Sequence, residues 1–74
     1  MNKERRKQIK TVVGALNVLR ECIEDIHNEE EAALYALPKS FTERYEAMEE
    51  AVTNISDAMD SINDAIDSLD CAAE

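Results

Sequence analysis

Asp57, Asp60, Asp64 and Asp67 recur at steps of three and four residues, and they are the residues in this chain that most invite a chemical reading. Closely spaced carboxylates can ligate calcium or hold a di-metal centre. The detail excludes each use. A calcium loop needs ligands at alternate residues and a glycine for its sharp turn, and here apolar residues lie between the aspartates and no glycine is near. Carboxylate-bridged metal bundles need inward Glu-x-x-His pairs on two helices, and a chain with one histidine, His27, cannot supply both. His27 sits among Glu24, Glu29, Glu30 and Glu31. It reads as a partly exposed structural histidine, the competing reading being a metal site completed across a dimer. Cys22 and Cys71 have no nearby Cys or His partner, so neither zinc nor a disulfide framework is expected. No phosphate-binding glycine loop and no Cys–His nucleophile pair is present. The expectation is a protein that is not an enzyme, with no catalytic residue, no metal and no cofactor.

What remains is a lane of charge. Glu46, Glu50, Asp57, Asp60, Asp64 and Asp67 follow helical steps, and on a helix they span about 32 Å at 1.5 Å per residue. Two readings compete. The lane is a solvated face that keeps the molecule soluble, or it binds a basic protein surface as a nucleic-acid mimic. Aspartate is a poorer helix former than glutamate or lysine, and solubility alone did not require so many.

The element that carries the lane is legible from spacing. Apolar residues recur at alternating intervals of three and four in two runs. The first is Ile9, Val12, Leu16, Leu19, Ile23, Ile26, then Glu30, Ala33 and Leu37. The second is Phe41, Tyr45, Met48, Val52, Ile55, Met59, Ile62, Ile66, Leu69 and Ala73. Such spacing keeps one narrow face of a helix turned towards a neighbour. Pro38 lacks an amide hydrogen and disfavours helix at Leu37, so the runs are separated by a bend. Asn2 is the expected first N-cap. Ser40 with Glu43 reads as a capping box for the second helix, with Thr42 as competitor. The chain is expected to be one domain, residues 1–74, with helix one at about 3–36, a bend at 37–40 and helix two at about 41–72.

A short bend implies antiparallel helices. If residue i faces residue 78−i, Ile9 meets Leu69, Leu16 meets Ile62, Leu19 meets Met59 and Ile26 meets Val52. The same offset separates Cys22 from Cys71 by roughly 20 Å, too far for a bridge. It also brings the basic start of the chain beside Asp64, Asp67, Asp70 and Glu74. Glu30 falls opposite Met48, with Arg44 as a candidate partner and register-setting as the other role.

Charge is unevenly placed. Residues 1–10 carry five cations against Glu4, net +4, and the rest carries three cations against sixteen carboxylates, net −13, for a total of −9. The bulk should repel nucleic acid and attract basic surfaces. Direct nucleic-acid binding is therefore not expected. No run reaches the ~18 apolar residues of a membrane span and no secretory leader is visible, so a soluble, cytoplasmic protein is expected.

Beside the seam, Ala51, Ala58, Ala65 and Ala72 each directly precede a seam residue of helix two, and helix one adds Val13, Ala15, Cys22 and Leu34. This widened face exceeds what one hairpin can bury. The expected fold class is all-α: an antiparallel two-helix hairpin of coiled-coil type that forms a homodimeric four-helix bundle. The rival is that the face binds a different protein.

The layout also resembles a known group. The basic "MNKERRKQIK", the Leu37-Pro38 bend with Ser40, and Met48-Glu49-Glu50-Ala51 leading into the Asp-Ala-Ile-Asp-Ser-Leu repeat resemble small acidic helical proteins encoded by bacteriophages and prophages of Firmicutes. That group carries a glycine near Tyr45, where this chain departs from it. The resemblance implies a phage-type accessory protein that binds a host or phage protein, with inhibition of a host defence or nucleic-acid-processing protein as its sharpest form. A structural or assembly component, such as a morphogenesis chaperone, is the alternative.

Overall fold

The computed structural model describes all 74 residues. It contains two helices and no strand: α1, Lys3–Ala36, and α2, Thr42–Ala72. At 1.5 Å per residue they are about 51 and 46 Å long, so end to end they would exceed 90 Å, roughly. The longest extent of the molecule is 58 Å, with 15 and 11 Å across. The helices therefore lie side by side as a hairpin.

Each boundary has a local cause. Asn2 caps α1, its Oδ1 accepting from the Arg5 amide at 2.8 Å. Leu37 takes the extended conformation that the following proline favours (φ −78°, ψ 129°) and ends α1. The Phe41 amide donates to the Pro38 carbonyl at 3.1 Å and closes the bend. The cap of α2 is Phe41, with no side-chain cap bond. The Ser40–Glu43 capping box is therefore absent, because α2 starts too late for Ser40 to occupy the N-cap position. Thr42 is already inside the helix.

The inward face of α2 is made of Tyr45, Met48, Val52, Ile55, Met59, Ile62, Ile66, Leu69 and Ala73, all buried or half-buried. Phe41, expected at the head of this row, is exposed. On α1 the expected seam is half corrected. Ile9, Leu16, Ile23, Glu30 and Leu37 do turn inward. The alternating positions do not: Val12, Leu19 and Ile26 are 49%, 54% and 54% exposed, and Ala33 is exposed too. Val13, Arg20, His27 and Leu34 take their places. Both rows have 3–4 spacing and share every seventh residue, so a small rotation of α1 about its axis exchanges one for the other.

Burial is thin. Only Leu34 and Ile66 fall to 6% exposure, and no polar side chain is buried. The radius of gyration is 17.0 Å, against about 11 Å for a compact domain of this length.

Candidate functional site

All six carboxylates of the lane are exposed, on the side of α2 that faces away from α1. The helix builds the lane because its inward row is fixed by the large apolar residues, which leaves the positions between them to solvent. Two hydroxyls along it are turned back onto the helix: Thr53 Oγ1 donates to the Glu49 carbonyl at 3.0 Å and Ser61 Oγ to the Asp57 carbonyl at 3.1 Å. None of the six carboxylates accepts a hydrogen bond from a side chain of its own helix.

No cation neutralises it. The only pairing of opposite charges within 4.0 Å is His27 Nε2 with Glu31 at 3.9 Å, one turn apart on α1, and it forms only when His27 is protonated. The basic start of α1, expected beside Asp64, Asp67, Asp70 and Glu74, makes no ion pair with them. Glu30 is half-buried and does not pair with Arg44, which is exposed.

His27 is drawn into the inward face rather than lying at its edge. Of the glutamates around it in sequence, Glu31 is the one that approaches, while Nδ1 lies 3.4 Å from Asn28 Oδ1. No group of three or more His, Cys, Asp or Glu side chains is arranged to hold a metal ion. Cys22 and Cys71 are free and exposed. The one depression is shallow and open, beside the bend, lined by Ser40, Phe41, Thr42, Glu43 and Arg44. No helix is long and apolar enough to cross a membrane.

The residues expected to mediate self-association divide. Leu34 is buried and Val13 half-buried within the hairpin, so both belong to its own core rather than to an outer surface. Ala15, Cys22, Ala58, Ala65 and Ala72 are exposed, and Ala51 is half-buried. Sequence reasoning missed the apolar row Val12, Leu19 and Ile26 as surface, because it assigned those residues to the seam. It also missed Arg20, whose Nη1 donates to Asn63 Oδ1 at 2.7 Å across the two helices. The signal was an arginine recurring with the inward heptad Val13, Arg20, His27, Leu34.

The arrangement can display charge on one side and apolar surface on another. No family model matches the chain, and no curated protein or solved structure shows significant similarity to it.

Proposed function

We propose that the chain is a non-enzymatic interaction protein of phage or prophage type, which pairs as a four-helix bundle of two hairpins and binds a basic surface of a host or phage protein through Glu46, Glu50, Asp57, Asp60, Asp64 and Asp67. The observation that carries this reading is the exposure of all six carboxylates with no cation bound to any of them. Six charges over about 32 Å is one per roughly 6 Å of axis. That is about one for every second phosphate of a DNA strand. A groove built to receive a phosphate backbone meets a comparable row of charge, held on a helix that needs no ordering on binding. Inhibition of a nucleic-acid-processing or defence protein is the sharpest form of the proposal, and the cytoplasm of a bacterial host is where it would act.

A second reading, a structural component or morphogenesis chaperone, is favoured by the uncovered row Val12, Leu19 and Ile26. The test is capture from bacterial lysate by the wild-type chain and by a variant carrying Asp57→Lys, Asp60→Lys, Asp64→Lys and Asp67→Lys. A partner lost with the charge reversal supports the acidic lane. A partner retained by the reversed chain supports the assembly reading instead.

A further inference from the structure

The rotation of α1 and the molecule's surface area point to the same face. α1 turns Arg20 and His27 towards α2 while Val12, Leu19 and Ile26 face out. A hairpin folding alone would gain by the opposite choice, since burying one branched apolar side chain is worth about 1.5–3 kcal/mol. The choice is explained if the outward row is covered by something else.

Each residue of that row directly precedes an inward position: Val13, Arg20 or His27. On α2, Ala51, Ala58 and Ala65 likewise directly precede Val52, Met59 and Ile66. One step back along a right-handed helix turns about 100° in a fixed sense. In two antiparallel helices that face each other, this step carries both rows to the same side of the hairpin. The result is one broad face, a ridge of branched residues beside a trough of alanines, both repeating every seven residues. The positions between, Ala15 and Cys22 on the ridge and Asn54 and Ser61 on the trough, carry no charge. The opposite side is polar, with Asn17, Ser56 and Asn63 half-buried and Arg20 bonded to Asn63.

The accessible surface is 5556 Å² for a chain of 8.3 kDa. A compact monomer of that mass exposes about 4,600 Å². The excess, about 1,000 Å², is close to the ~800 Å² that each partner contributes to a standard interface.

We infer that this face is covered by a second copy of the chain, the α1 ridge of each hairpin seated in the α2 trough of the other, with both bends at the same end. This inference rests on the dimer proposed above and specifies its interface. Ridge and trough occur on the same face with the same repeat, so the face is complementary to itself about a two-fold axis. Ridge against trough gives both new helix pairs one spacing, whereas ridge against ridge would hold one pair apart and leave the alanines of the other pair short of contact. The ends agree. Arg5 extends the ridge by one heptad and comes level, within about a turn, with Glu74 of the second copy, and Arg44 extends the trough towards Glu29 of the second copy.

Sedimentation equilibrium on the full chain tests the face. The expected result is twice 8.3 kDa for the wild type and once that mass for Leu19→Gln with Ile26→Gln. A dimer unaffected by the double substitution overturns the face and leaves the dimer standing; a monomeric wild type overturns both. Cross-linking tests the arrangement independently of the variant's folding. In a chain with Cys22→Ser and Cys71→Ser, Leu19→Cys is introduced in one copy and Ala58→Cys in a differently tagged copy, and the two are mixed and oxidised. Ridge-in-trough packing yields the mixed Leu19→Cys/Ala58→Cys product. Products confined to Leu19→Cys pairs overturn it.

Discussion

Arg20 Nη1 donates to Asn63 Oδ1 at 2.7 Å, joining residues 43 apart in sequence across the two helices. It is the only side-chain hydrogen bond that bridges α1 and α2. With residue i opposite residue 78−i, Arg20 would face Ala58, five residues or about 7.5 Å from Asn63. An extended arginine spans that distance, so the bond is compatible with that offset. Arg20 makes this bond from the inward row of α1, where it is half-buried. Asn63→Ala should lower stability by about 1 kcal/mol, and a cycle with Arg20→Ala should show coupling of at least about 0.5 kcal/mol. Urea titration of the four chains measures it. Additive effects would mean that the bond does not hold the helices in this rotation.

The two helix starts differ in chemistry and should differ on mutation. Asn2→Ala removes the bond to the Arg5 amide and should cost about 1 kcal/mol. Ser40→Ala should be close to neutral, since Ser40 makes no cap bond to α2. Thermal denaturation by circular dichroism compares them; an equal loss would restore Ser40 to the cap.

Gly14 lies inside α1, is exposed, and has nothing within 4 Å of where a Cβ would stand. Its backbone is helical, so no positive φ protects it. Gly14→Ala should stabilise the chain by about 0.5–1 kcal/mol, a rise in Tm of several degrees. An unchanged or lower Tm would show that a glycine is required there by a contact the hairpin alone does not make.

Ile23 turns inward and Val18 is 60% exposed. Ile23→Asp should unfold the chain or cost several kcal/mol, because it drives a carboxylate into the apolar row. Val18→Asp should stay within about 0.5 kcal/mol of wild type. Circular dichroism with sizing distinguishes them, and equal behaviour would count against the inward row.

How much of this was legible in the sequence varies by residue. The bend was, because Pro38 and the pre-proline Leu37 have few backbone options. So was the inward row of α2, where the large apolar residues occupy one heptad pair and small, polar or charged residues occupy the rest. The rotation of α1 was not. Ile9, Leu16, Ile23, Glu30 and Leu37 belong to both possible seams, and apolar residues flank them on both sides. Spacing therefore favoured the greasier row, Val12, Leu19 and Ile26, while the fold took the row containing Arg20. The outward placement of the acidic lane followed from the α2 row, where large apolar residues take the inward positions and leave those between to solvent.

The most direct measurement of the proposed role is the salt dependence of the captured complex, with DNA as competitor. Binding through the acidic lane should weaken by at least about tenfold between roughly 50 and 200 mM salt, and added duplex should displace the chain from its partner. A complex that keeps its affinity across that range and ignores DNA would contradict the acidic lane as the binding surface.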